Sequence, residues 1–568
     1  QAVLGFVLIF VVLMVWMWMS APQPKPPGAV AEAERSTDTV AVAAPALEKR
    51  APVNPIRDVG RFFDDRLQGR ESVLIIETDQ LIAEVTSRGA LIRKWELKGF
   101  KTWNGDPVQL VEREQRGDFS LLFGTVDGKL INTRDLFFNV QYGPWTRVRL
   151  SGDEEYRVEF VLPASNGGAV TKTLTFRNGT YGFRTAIRFS GMQDLVANYQ
   201  YQVIWEHGLR YAEENSVDES RFAAAYAYAG GELTELDASK VGEPQSRDMG
   251  GQVSWVATRS KYFSVALIPA EGASEGAYLE GNARAVANQG KKESYAVALK
   301  MPFRGTQEQI DSVKVFFGPL NYDVLKEYNV GLENMMSLGW AWIIRPISVY
   351  IVLPLFKFVH LFVSNWGIVL IIFAIIVKIV LHPLTRSSMK SMRKMQALQP
   401  MIEELKEKYK DDPQKMNQQM MGLYKEYGVN PAGGCLPLLL QFPILIALYN
   451  VFMSAIELRQ ASFVWWITDL SVPDRILTLP FELPIFGIRE VSGLALLMGI
   501  TTFLQQKMSV KDPRQKAMVY LMPILLTLLF NSFPSGLNLY YFMFNLLAIG
   551  QQMIINRQHA DEPLRKVE

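Results

Sequence analysis

One cation, Lys378, interrupts an apolar run over 366–384 that is long enough to cross a bilayer. A charge at membrane depth costs roughly 2.5–3.5 kcal/mol, so it ordinarily faces a partner, a wet cavity or a translocation path. The alternative is snorkelling: the polar stretch from Thr385 begins only roughly 9 Å of helix rise away. Other polar residues are dispersed through neighbouring apolar runs: Gln441, Thr501, Thr502, Gln505, Gln506, Asn538, Tyr540, Tyr541, Asn545 and Gln551. Singly, each reads as glue between helices. Together they point to a wet concavity, in which a lone ammonium attracts polar or acidic peptide through a field strengthened by low dielectric.

Bond-making chemistry is absent from the pattern. There is no Gly-x-Ser-x-Gly, no paired His with Glu and no phosphate-cradling loop. His207, His360, His382 and His559 are scattered without ligand spacing, and the single cysteine, Cys435, excludes an intrachain disulfide. The neighbours Glu206 and His207 read as structural. No cofactor is expected.

The 568 residues carry a formal net charge of +2, but the charges are segregated. Residues 2–19 are apolar and end in Trp16 and Trp18, which reads as an uncleaved signal anchor over 1–20. An Ala/Pro/Val-rich tether follows over 21–60. Strand signals at 72–78, 81–86, 90–97, 171–176, 183–189, 201–205 and 312–317 predict a large β-sandwich over 61–325. The stretch 331–363, with Trp340, Trp342, Arg345, Pro346, Pro354 and Lys357, predicts an amphipathic helix lying in the membrane interface.

Five apolar runs follow, at 366–384, 435–456, 491–508, 517–533 and 536–555, and with the anchor they predict a polytopic α-helical membrane protein of six spans. The strictly apolar parts 491–504 and 517–530 offer roughly 21 Å of helix against a roughly 30 Å hydrocarbon core, which thins the bilayer around them. Basic residues crowd the stretch 385–434 and the loop 509–516, placing both on the cytoplasmic side. Both termini, including a short tail over 557–568, are then cytoplasmic and the β-domain lies outside. The stretch 386–430 predicts a charged helical hairpin with seams Leu398, Ile402, Leu405, Tyr409 and Met416, Met420, Leu423, Tyr427, its second helix opened by Asp412-Pro413. Met389, Met392, Met395, Met416 and Met420 are adaptable side chains that either fill that hairpin or meet varied apolar partners.

Ordered motifs through 364–556 resemble the YidC membrane insertases. They are Asn365-Trp366-Gly367, Lys378 with His382-Pro383-Leu384-Thr385, Lys394-Met395-Gln396-Ala397-Leu398-Gln399-Pro400, and Asn430-Pro431-Ala432-Gly433-Gly434-Cys435-Leu436-Pro437. Gln441-Phe442-Pro443-Ile444, Glu457-Leu458-Arg459 and Phe533-Pro534-Ser535-Gly536-Leu537 with Leu539-Tyr540-Tyr541 and Asn545 complete the likeness. The resemblance implies an insertase of the bacterial inner membrane, with a periplasmic β-domain and no catalytic step. It implies a hydrophilic groove open to cytoplasm and lipid, in which an arginine holds the polar part of a nascent membrane protein. This chain has Lys378 at that position; lysine keeps the charge but not the planar fork of donors. By the same likeness Gln441, Tyr541 and Asn545 fall on the groove and Phe442 and Leu445 on an apolar slide. The hairpin meets clients or targeting factors first. Implied partners are nascent membrane proteins, the Sec translocon, membrane lipids, and the ribosome or the signal recognition particle with its receptor. No nucleic acid is read directly.

A transporter or channel is the competing class, but the internal repeat it predicts is not evident. A carbohydrate-processing role for the β-domain would rest on Glu206 and His207 alone.

Overall fold

A computed structural model describes residues 58–568 except 113–115, 288–289, 411, 430–435, 484–486, 510–515 and 559–568. The anchor, most of the tether, Cys435, Lys511, Arg514 and the tail from His559 onward lie outside the described residues.

Every predicted strand coincides with an observed one, overrunning it by at most one residue at an end, because period-two alternation there coincides with one buried face. The sandwich contains a five-stranded, an eight-stranded and a six-stranded sheet. They share one core: Phe317 of Glu308–Pro319 stacks on Trp95 at 4.9 Å and meets Trp205 edge-on at 4.8 Å. Strands Trp255–Arg259 and Phe263–Pro269 are buried along their whole length. Their second face, with Trp255, Ala257, Ala266 and Ile268, joins Leu320, Leu332, Met335 and Leu338 in a second core that continues into the helices. The sandwich and the helical part are therefore one packed body over Asp58–Glu568.

The stretch 331–363 is helical over only part of its length. A 3-10 turn at Leu332–Met335 is followed by extended chain, then by helix from Ile344 through a π-turn at Ser348–Val352 into α1, Leu353–His360. Pro354 directly follows the π-turn, where its missing N–H interrupts the bond ladder between the two helical pieces. Leu353, Phe356 and Val359 are buried against the bundle, while Tyr350, Ile351 and Phe358 are exposed.

The remaining helices are α2 (Trp366–Ala397), α3 (Gln399–Lys408), α4 (Pro413–Glu426), α5 (Leu436–Ser454), α6 (Gly493–Ser509), α7 (Lys516–Phe530) and α8 (Ser535–Gln558). Helix α2 corrects the boundary expected at Thr385. It runs on through Pro383 into the charged stretch, so the hairpin proper is α3 and α4 rather than 386–430. The Thr385 hydroxyl donates to the carbonyls of Leu381 and His382, both at 3.0 Å, a back-bond within the turn around Pro383. Among the described residues one helix, Trp366–Pro383, is long and apolar enough to cross a membrane by itself. Gln441–Ser454 and Val519–Phe530 are apolar but shorter. An antiparallel strand pair, Leu477–Leu483 with Ile488–Val491, precedes α6 and has no counterpart in the sequence reading.

Candidate substrate groove

Helix α2 opens on Asn365, whose side chain accepts from Ile368 N at 3.2 Å. Its buried stripe is Leu370, Ala374, Val377 and Leu381, spaced four, three and four residues apart as one helical face requires. Lys378 sits at the edge of that stripe and is only 8% exposed, whereas its neighbours Ile379 and Val380 are exposed. The amine therefore turns inward to α8 rather than out along the exposed face of α2.

Helix α8 packs between α2 and α6. The Lys378 Nζ stands 4.5 Å from the centroid of the Phe544 ring, a cation–π contact. Among the described residues it has no carboxylate or hydrogen-bond partner, yet Nζ is not among the polar atoms sealed from the surface without one. The next residue, Asn545, faces the other side of α8 and donates to Thr502 Oγ1 of α6 at 2.9 Å. Six residues further along α8, Gln551 is buried and its Nε2 lies 3.0 Å from His382 Nδ1 and 3.1 Å from Thr385 Oγ1 of α2. Tyr540 Oη, Asn538 Oδ1, Gln551 Oε1 and Gln506 Oε1 are sealed without a protein partner, a cost of about 1–3 kcal/mol each that an apolar bundle would not carry.

Small residues set the spacing. A Cβ on Gly499 of α6 would lie 1.9 Å from Thr527 Oγ1 of α7, so only glycine lets these helices approach so closely.

The residues singled out from the sequence are thus partly brought together. Lys378 and Asn545 flank Phe544 on α8 without a bond between them. Tyr541, half-buried, meets Phe530 edge-on at 5.1 Å. On α5, Gln441 and Leu445 are half-buried and Phe442 is exposed. Met395 and Met420 pack on the hairpin core of Leu398, Ile402, Tyr427 and Val429, which gives those two the filling role. Met389 and Met416 are half-buried, and the Met392 side chain lies outside those described. Phe544 carries no signal of its partner in the sequence, and His382 and Thr385 stand there only within a family motif, not as partners of Gln551. Glu206 and His207 belong to a closed network: Arg134 pairs with Glu206, and His207 Nδ1 lies 3.1 Å from Asp118 Oδ2.

The family model for the 60Kd inner membrane protein matches residues 358–562, and the YidC periplasmic domain model matches 74–349. The membrane protein insertase YidC of Chloroherpeton thalassium is 39% identical over 523 residues, covering 91% of this chain and 88% of that protein. That of Pelodictyon phaeoclathratiforme is 41% identical over 508 residues, covering 89% and 86%. The chain belongs to the YidC membrane protein insertase family. A crystal structure of an active YidC insertase with its first transmembrane domain resolved overlaps at a TM-score of 0.35, with 20% identity over 85% of this chain and 94% of that one. That overlap is too loose to carry argument. Membership in the YidC family makes this an inner-membrane protein with a periplasmic-type β-domain, and assigns it to insertion rather than to bond-making catalysis.

Proposed function

We propose that the protein inserts nascent inner-membrane proteins and helps them fold by holding the client's hydrophilic part at Lys378. The supporting observation is an ammonium buried against Phe544, unpaired yet not sealed. An unpaired buried cation is costly unless it receives an anion or dipole, which a client's polar tail supplies. In this reading Lys378, Gln441, Tyr541 and Asn545 line the groove, and the client's apolar segment leaves past Phe442 and Leu445 into lipid.

The reading takes α2, α5, α6, α7 and α8 with the N-terminal anchor as six spans, both termini in the cytoplasm and the β-domain in the periplasm. The short α6 and α7, of 17 and 15 residues, favour a locally thinned bilayer. The hairpin α3–α4 receives clients from the ribosome or from the signal recognition particle and its receptor, and the Sec translocon is a partner for larger clients.

Reconstitution into liposomes tests this. A single-span client with a short acidic tail inserts without nucleotide; leakage of small solutes without client insertion would favour a channel instead.

A further inference from the structure

The strand Leu477–Leu483 alternates in sequence, apolar Leu477, Leu479, Phe481 and Leu483 between Thr478, Pro480 and Glu482, and its pairing with Ile488–Val491 shifts register between Thr478 and Leu483. Such a pattern ordinarily buries its apolar face, yet here Leu477 is 57% and Phe481 59% exposed. A two-stranded ribbon whose apolar face is in water is marginal at best.

Its place in the fold identifies what covers it. Asn531, just beyond α7, donates to the Glu490 carbonyl at 2.8 Å and accepts from Ser492 N at 2.9 Å. Asp474 accepts from Leu494 N of α6 and from Trp466 Nε1, at 2.9 and 2.8 Å. The ribbon is thereby rooted at the ends of α6 and α7 on the β-domain's side. Helices α6 and α7 carry exposed apolar side chains of their own, Leu496, Ile500 and Ile524 among them. Beside the root, Trp465 is 86% exposed and stacks on Trp466 at 5.8 Å, the placement of an aromatic at a membrane–water boundary.

We propose that the Leu477–Leu483 strand lies flat in the bilayer leaflet on the β-domain's side, its leucine and phenylalanine face in the acyl boundary and Trp465 among the headgroups. Helices α6 and α7 supply about 25 and 22 Å of rise against a roughly 30 Å hydrocarbon core. A ribbon seated about 5–10 Å into the headgroup–acyl boundary fills part of that deficit and pins the thinned leaflet beside the groove. This surface acts on lipid rather than on client. It shares with the proposed function only the crossing of the membrane by α6 and α7.

The test is the depth of a nitroxide on single cysteines, Leu477→Cys and Phe481→Cys, in full-length protein carrying Cys435→Ser and reconstituted in phospholipid vesicles. Val241→Cys, exposed on the β-domain, is the aqueous reference. Both labels are expected to be open to oxygen and severalfold less open than the reference to a water-soluble nickel chelate. Chelate access equal to that at Val241 overturns the proposal. So does protection from both reagents together, since that means a protein surface covers the strand. Client insertion measured in the same vesicles separates this result from failure of the groove reading.

Discussion

Arg459 Nε donates to Glu213 Oε1 at 2.5 Å, joining side chains 246 residues apart across the junction of sandwich and helical bundle. The same guanidinium donates to the Lys101 carbonyl at 2.5 Å, Gln460 reaches that carbonyl at 3.0 Å, and Asn321 donates to Glu457 at 2.7 Å. The Glu457-Leu458-Arg459 motif is thus a clamp that fixes the β-domain on the loop after α5. Both partners of the ion pair are almost wholly buried. Arg459→Ala is expected to leave an unpaired carboxylate and weaken the junction by about 3–5 kcal/mol. Hydrogen exchange over 100–103 and 457–461 should accelerate, and pairing Arg459→Met with Glu213→Leu should restore most of the protection. Unchanged exchange in Arg459→Ala would remove the clamp from the account.

Lys172 provides a pH-dependent test of the sandwich core. Its Nζ donates to the carbonyls of Ala90 at 2.8 Å and Phe119 at 2.7 Å, two residues with positive φ, and stands 4.4 Å from the Phe119 ring centroid. Burial pushes the amine down to about 7. The unfolded chain, with an ordinary lysine near 10.4, binds the extra proton between those values, so stability rises with pH across that window and is lowest below it. The slope is at most about 1.4 kcal/mol per pH unit. Hydrogen exchange of strand Ala169–Arg177 in the full-length protein should slow, relative to intrinsic rates, from pH 7 to 10, and Lys172→Met should flatten that dependence. Equal slopes in the two proteins would contradict it.

The hairpin methionines separate into two groups. Met420 packs on the hairpin core, so Met420→Ser should destabilise α3–α4 by about 2 kcal/mol, read as faster exchange over 399–426. Met421 is exposed, and Met421→Ser should leave exchange unchanged while reducing client crosslinking to the hairpin. Reduced crosslinking only on loss of Met420 would assign the hairpin a purely structural role.

Legibility in the sequence followed the physics of each signal. The strands were readable because Leu81–Thr86 or Gly182–Ser190 alternate about one buried face. Lys378 was readable because a charge in a long apolar run has few explanations, but its turn toward Phe544 depends on where α8 packs. The end of α2 was misplaced because a proline and a run of charge ordinarily terminate a helix, whereas here the helix runs through both to Ala397. The Leu477–Leu483 ribbon was hidden in a loop judged by charge alone, and the Arg459–Glu213 pair is non-local and has no sequence signature.

Insertion of a single-span client with an acidic tail, compared across variants of Lys378 at matched protein levels in liposomes, tests the central claim most directly. Lys378→Arg is expected to insert as the parent does. Lys378→Ala should lose roughly tenfold, about 1.4 kcal/mol, and Lys378→Glu more, with a tail of neutral residues far less affected. Insertion of the acidic-tailed client by Lys378→Glu at the parent's rate would contradict the account.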